Sequence, residues 1–501
     1  MIPLPSFLKE YKNSHAAVLA LLWLAFLYSW VGFTAEAPAG GQDSWNHYLF
    51  ARWSFKHPEL ILDLWGKPFF TALAAPFAQF GIKTIYFLNT TATLATAWLT
   101  YLTGRKLGMR NAWMLILLMG LQPVVLANFY SSLTEPTNAL VLVWVMYLIV
   151  SHRYTAGIIV ASFLPIIRTE GLVLIGALIP FLIMRGKWKH LLYLLSGTLI
   201  FALIAALISG EWNYFIAHNP YFSFEAEGKF DPGSGSFWHY IQAQKSITGI
   251  WVTILVFLSV PIVTNYIFTR YKKHTPHEMS QFMLWVALPL FGGYFFAHSF
   301  IWYAGMLGSH GLVRVFMVVS PVAAILAQYS LHKIMSLDIR FLNRGIKVVT
   351  YIISIFIAFQ GAGFDLPFKG KNSIKGFPGT PQWEEAMNFI DSKGWSKYMI
   401  VHQLPEMNVL LDLDPYEPVE SAIQNAGVMQ GMTQYLWSLD TREGYDWFPE
   451  KTILIWDNFH ARRDAPLPLY TLRSLKQYQE VAYFPSDIDT IYDVRVFRKK
   501  P

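Results

Sequence analysis

Apolar runs long enough to cross a bilayer recur through the first 363 residues and then stop. A spanning helix needs about 17–25 residues. Read on that length and on the charges that interrupt it, the pattern predicts 11 spans, at about 15–34, 83–103, 111–128, 136–151, 155–168, 171–185, 190–209, 248–269, 281–301, 312–330 and 346–363. Several are short. Those around 155–185 predict broken helices inside a bundle, because non-helical backbone at membrane depth is tolerated only where protein or a cavity surrounds it. From residue 364 the texture changes. QWEEAMNFIDSKG places Trp383, Met387 and Ile390 at helical spacing before a stop at Gly394, while 397–403, 452–457, 479–484 and 492–498 are short apolar or alternating runs of strand type. The expected fold is therefore mainly α: a polytopic transmembrane bundle over 1–363, followed by a soluble α/β domain over 364–501.

The connections set the orientation. With the N-terminus inside, the inner loops RKLGMR, SHRY, RGKWKH, TRYKKHTPH and LHKIMSLDIRFLNRGIK are all basic, whereas Glu36, Asp43, Glu59, Asp63, Glu135, Glu211, Glu225, Glu227 and Asp231 fall on the opposite side. Basic residues are retained on the cytoplasmic side, so this asymmetry with an odd span count predicts a C-terminal domain outside the membrane. The first apolar run has a basic flank and no small-residue cleavage site directly after it, and reads as an uncleaved span. Two outer loops are long. Residues 35–82 open on GGQDSWNHYLFARWSFKHPE, an amphipathic interfacial helix, and continue into DLWGKPFFTALAAPFAQFG; residues 210–247 mix aromatics with a Gly/Ser/Pro turn cluster.

Composition agrees with a membrane protein: 54% of the 501 residues are hydrophobic and 14% charged, against about a quarter charged in soluble domains. The formal charge of +7 lies in the loops between apolar runs, so it reads as a topology signal rather than a nucleic-acid footprint. There is no cysteine, which removes disulfides, thiolate metal ligands and a cysteine nucleophile from the possible chemistry.

Ionisable groups beside apolar segments are costly and therefore mark candidate sites. Asp43 follows a Gly-Gly turn at the start of the interfacial helix, where it reads either as a base at the water–bilayer boundary or as a helix N-cap. Glu135 in SSLTEPTNAL and the Arg168, Glu170 pair in PIIRTEG fall at outer ends of spans; they read either as a structural ion-pair set or, for Arg168, as a guanidinium fork for phosphate. Lys67 and Arg314 are further cations on that side, and Arg314, just inside a span with no acid nearby in sequence, calls for a partner from elsewhere. His47, His57, His298 and His310 are also outer, but their spacing matches no metal-ligand set, and no metal or other cofactor is expected.

This layout resembles the GT-C superfamily of membrane glycosyltransferases, especially the polyprenyl-phosphate-mannose enzymes. The likeness covers about residues 15–363 and rests on a first span, an outer loop opening with an acid in GGQDSWNHYLFAR, then HPE and WGKPFFTALAAPF, and later TEPTNAL, RTEG and GLVRVFMVVSP. It implies a GT-C bundle and an inverting transfer of a mannose-like hexose from a polyprenyl-phosphate donor to a hydroxyl of a glycan or lipid-linked acceptor. By the same resemblance Asp43 is the base, Lys67, Arg168 and Arg314 hold the donor phosphate, and His47, Glu135, Glu170 and His310 contact substrate. The implied setting is a bacterial inner membrane with the C-terminal domain in the periplasm. The sequence lacks an Asp-X-Asp pair in that loop, which argues against the metal-dependent branch. Two alternatives stay open: an O-antigen polymerase or ligase, and a lipid or glycan transporter, for which paired similar halves would be the signature.

Overall fold

A computed structural model describes residues 6–34, 40–219, 233–269, 278–307, 309–336, 380–396, 398–402, 408–409, 412, 414–416, 450–459 and 469–500. It is mainly helical. The membrane part runs through α1 (Ser6–Thr34), α2 (Gly41–Trp53), a 3-10 turn at Pro58–Ile61, α3 (Pro68–Ala78), α4 (Ile82–Lys106), α5 (Met114–Gly120), α6 (Pro123–Asn128), α7 (Glu135–Val150), α8 (Tyr154–Ala161), α9 (Leu164–Ile167) and α10 (Gly171–Met184). A 3-10 segment at Trp188–Leu195 leads into α11 (Ser196–Ser209), and three single turns follow, α12 (Tyr214–Ala217), α13 (His239–Gln242) and α14 (Gln244–Ile247). Then come α15 (Ile250–Thr269), α16 (Glu278–Phe282), a π-helical stretch at Met283–Ala287, α17 (Leu288–Tyr303), a 3-10 helix at Val313–Val319 and α18 (Ser320–Ser336).

Five segments of the described residues are long and apolar enough to cross a membrane, Ser14–Phe33, Trp188–Ser209, Ile250–Phe268, Glu278–Tyr303 and Val313–Ser336, and four shorter apolar helices stand beside them. The difference from the expected 11 has local causes. The run 111–128 is cut where Pro123 removes a backbone donor, and 155–168 is cut ahead of Pro165, as expected of broken helices held within protein. The helix α4 is continuous but rich in threonine; Thr90, Thr93, Thr96, Thr100 and Thr103 turn their hydroxyls back onto the carbonyls four residues earlier, which satisfies them without a partner helix. The expected span at 346–363 lies outside the described residues.

One hydrophobic core runs through these helices, and α18 sits at its centre: the window containing it is 94% buried, against 17–33% for the other four long segments. Its burial explains why its first turns are apolar on every side and why Gln328 and Ser330 farther along each donate to a backbone carbonyl, of Arg110 and Leu255.

Beyond the bundle, four strands, β1 (Met399–Val401), β2 (Thr452–Asp457), β3 (Tyr478–Phe484) and β4 (Val494–Lys499), form one sheet in the order β1-β2-β4-β3. β1 and β2 are parallel; β4 is antiparallel to both β2 and β3. The helix α19 (Thr380–Ser392) lays Trp383, Ala386, Met387 and Ile390 on Ile400, Ile453, Ile455, Val494 and Val496. These elements fall on the helix and the strand-type runs read from the sequence.

Candidate functional site

The site is built around the start of α2. Gly40 caps that helix with φ 92°, a left-handed conformation that favours glycine, and a Cβ there would stand 2.6 Å from a methyl carbon of Leu133. This close approach seats α2 against the 128–134 loop. The loop is pinned from both sides: Ser132 N donates to Ser44 Oγ at 2.8 Å, and Asn89 Nδ2 of α4 donates to the carbonyls of Ser131 and Leu133 at 2.7 and 2.8 Å. Asp43 is thus the third residue of α2, within its first turn and not its cap, and makes no capping hydrogen bond. The N-cap alternative read from the sequence falls away. Its carboxylate still gains from the positive end of the helix.

The 128–134 loop delivers Glu135, the first residue of α7, whose side chain is fully buried. Arg168 enters from the extended residue between α9 and α10; its Nη1 lies 3.0 Å from Glu135 Oε1 and donates to Thr134 Oγ1 at 2.8 Å, while Nη2 donates to Glu170 Oε1 at 2.7 Å. Arg314 enters from the 3-10 helix before α18. Its Nη2 is hydrogen-bonded and ion-paired with Asp43 Oδ2, its Nη1 donates to the Gly40 carbonyl at 3.3 Å, and its Nε lies 3.4 Å from Glu135 Oε1. Five side chains therefore form one chain of alternating charge, Asp43, Arg314, Glu135, Arg168 and Glu170, drawn from four separate stretches of sequence. Arg314 finds its partners in protein acids distant in sequence.

Lys67 and His47 border this chain. Lys67 is buried and left-handed, φ 66°, directly before Pro68; a lysine held in that backbone is costly and occurs mostly where structure or function fixes it. Its charge acts on His47 and on Asp63. His47, one turn along α2 from Asp43, stacks on Trp65 with centroids 5.2 Å apart, and Phe70 meets it edge-on. Burial pushes its imidazole down to about 4, although Asp43 pulls the other way, so it is neutral near pH 7. Burial alone would raise the Asp43 carboxyl, but Arg314 against it, with His47 and Arg168, holds it below the ordinary carboxylate range. His310, four residues before Arg314, occupies left-handed backbone, φ 49°, next to Gly311.

Of the eight residues singled out from the sequence, the structure joins Asp43, Glu135, Arg168, Glu170 and Arg314 directly and sets His47 and Lys67 within electrostatic reach. Sequence reading placed Gly40 in a turn but missed the tethers Ser44, Ser132 and Asn89, which carry no charge to mark them. It also gave no role to Tyr294, whose hydroxyl donates to the Val315 carbonyl at 3.2 Å beside Arg314 and whose ring lies 4.4 Å from that of His298. Among the described residues no three His, Asp or Glu side chains are grouped as metal donors.

The chain superposes on the crystal structure of ArnT from Cupriavidus metallidurans bound to undecaprenyl phosphate, with a TM-score of 0.57 and 12% identity over 96% of this chain and 97% of that one. It also matches the Archaeoglobus fulgidus oligosaccharyltransferase tethered to an acceptor peptide, with a TM-score of 0.53 and 10% identity over 99% of this chain and 75% of that one. No protein-family model matches the sequence, and no curated protein matches it closely. The fold is that of the GT-C membrane glycosyltransferases.

Proposed function

We propose that the protein is an inverting glycosyltransferase that takes a sugar, a mannose-like hexose or a related one, from a polyprenyl-phosphate donor. It passes that sugar to a hydroxyl of a glycan or lipid-linked acceptor on the outer face of a bacterial inner membrane. The observation that carries the reading is the charge chain: a carboxylate at the start of α2 paired with one half-buried guanidinium and joined through Glu135 to a second, within a fold whose solved example holds undecaprenyl phosphate. Polyprenyl phosphate is a lipid-soluble leaving group whose charge needs cations and no proton. Arginine forks suit a phosphate, and preorganised cations stabilise charge as it develops on the departing oxygen.

In the step itself, Asp43 accepts the proton of the acceptor hydroxyl as that oxygen forms a bond to the anomeric carbon. The bond from that carbon to the donor phosphate oxygen breaks with its electron pair, and polyprenyl phosphate leaves from the opposite face. Arg168, Arg314 and Lys67 hold the phosphate, and Glu135 holds the two arginines. His47, neutral and stacked on Trp65, offers a hydrogen bond to the bound sugar, and Glu170 and His310 contact the substrate beside it. The elements α19 and β1 to β4 belong to an outer domain that shapes acceptor access.

The test is transfer or release of labelled sugar from undecaprenyl-phosphate mannose, glucose and arabinose by protein in proteoliposomes. Wild type turns over at least one of them, and Asp43→Asn, which keeps the shape of the side chain, loses about 10²–10⁴-fold in rate while folding normally. Near-normal turnover by Asp43→Asn would remove it as the base.

A further inference from the structure

Each nitrogen of Arg314 faces a protein acceptor, with both terminal nitrogens hydrogen-bonded. Its Nη2 is bound to Asp43, its Nη1 to the Gly40 carbonyl and its Nε faces Glu135. Arg168 is held at its two terminal nitrogens, by Thr134, Glu135 and Glu170. The two acids that Arg314 meets, Asp43 and Glu135, are not equivalent. Glu135 is buried and shared by both arginines, so it cannot move without stranding two charges. Asp43 lies on an interfacial helix, has a side chain 37% exposed and touches only one of the arginines. It is the member that can be exchanged for another anion at the smallest cost.

We infer that the donor phosphate competes with Asp43 for Arg314, so that seating the donor is what releases Asp43 to act as a base. This deepens the reading above and rests on it. A carboxylate bound to a guanidinium is a poor proton acceptor, and losing that partner makes it a better one. The exchange needs no movement of the bundle: the phosphate takes the Nη2 donor, and Asp43 turns toward the acceptor. Glu135 stays in place and keeps both guanidiniums aimed at one point. It is a positioning residue in this scheme, while Asp43 is at once the base and a competitor of the donor. Coupling the two roles suppresses deprotonation of acceptor or water before a donor is present. It also makes the order of addition donor first.

The scheme makes an unusual demand: removing the charge of the base must tighten binding of the lipid phosphate while abolishing transfer. Undecaprenyl phosphate would be titrated onto the full-length protein in nanodiscs, with occupancy read by native mass spectrometry. Asp43→Asn and Asp43→Ala should each bind about tenfold tighter than wild type, the low end of the range for close charge-pair couplings. Glu59→Gln removes the same charge from an exposed position in the same loop, where its carboxylate is 64% exposed, and should change binding less than twofold. Arg314→Ala should bind more weakly. Equal or weaker binding by both folded Asp43 variants would overturn the inference, as would an equal gain in Glu59→Gln, which would trace the effect to net charge and not to Arg314. If wild type and every variant fail to bind undecaprenyl phosphate, the donor reading itself is wrong and this inference falls with it.

Discussion

Glu135→Gln isolates the centre of the charge chain. The substitution keeps volume and removes one charge that two guanidiniums share, at 3.0 Å from Arg168 Nη1 and 3.4 Å from Arg314 Nε. At an effective dielectric of about 20, each contact at those distances carries roughly 5 kcal/mol of gross attraction. Against this stands the desolvation of a fully buried carboxylate, which is several kcal/mol and which Gln does not incur. Breaking a buried pair usually costs about 3–5 kcal/mol because a charge is left alone. Here neither arginine is left alone, since Arg314 keeps Asp43 and Arg168 keeps Glu170 at 2.7 Å. The net loss should therefore fall below that range, at about 2–3 kcal/mol. Neither Glu135 oxygen accepts a well-aligned hydrogen bond, so its contribution is Coulombic and Gln recovers little of it. The assay is thermal unfolding in one detergent at fixed lipid content, beside Glu135→Ala, which adds a cavity and should be worse. A melting temperature for Glu135→Gln equal to wild type, with transfer unimpaired, would refute the claim that this carboxylate holds the arginines.

Two further predictions separate exposed from buried electrostatics. Arg52 on α2 binds Asp412 through two hydrogen bonds, but Asp412 is 62% exposed, so Asp412→Ala should cost under 1 kcal/mol; Asp414 is 8% exposed and meets both His57 Nε2 at 2.9 Å and Lys56 Nζ at 3.1 Å, so Asp414→Ala should cost more, about 2 kcal/mol, as read by paired melts. Equal losses in the two variants would contradict this ranking. Stability should also fall on the acid side. His47 binds its proton less readily in the folded protein, at about 4, than in the unfolded chain, near 6.5, so its contribution is complete above 6.5 and is lost as pH drops toward 4, by up to about 3 kcal/mol. Asp43, held below its ordinary value, adds a loss only at still lower pH, and Asp63, raised by burial, acts in the opposite sense. His47→Phe should flatten the melting temperature between pH 6.5 and 4; an unchanged slope would remove His47 as its source.

The sequence disclosed what local physics decides. Long apolar runs announce membrane helices because lipid offers no hydrogen bonds, and acids or arginines at the ends of such runs stand out because burying them is costly. This is why Glu135, Arg168, Glu170 and Arg314 could be named without a structure. The broken helices around Pro165 were legible for the same kind of reason, whereas the break at Pro123 inside the expected span 111–128 was not. What stayed hidden was partnership at long range. Asp43 and Arg314 are 271 residues apart, Ser44 and Ser132 are 88 apart, and no period or composition links them. Arg314 thus read as a cation lacking an acid, when it holds two.

The same helix explains how so loose a set of motifs yields one defined site. Along α2, Asp43 and His47 share a face, being four residues apart, while Arg52, nine residues on from Asp43, projects from the opposite side. The first face meets Arg314 and Trp65; the second meets Asp412, and beyond it Lys56 and His57 meet Asp414. Phe50 and Tyr416 close the gap with their rings 5.6 Å apart. A short helix with one turn of charged contacts would slide and rotate against its neighbours, since its hydrophobic contacts alone are not directional. Ion pairs on two opposite sides fix its rotation, and the Gly40–Leu133 contact with the Ser44–Ser132 tether fixes its axial position. Placing the proposed base Asp43 to within a fraction of an ångström requires both constraints, and in this chain they come from residues as far along as Ser132, Leu133, Arg314 and Asp412.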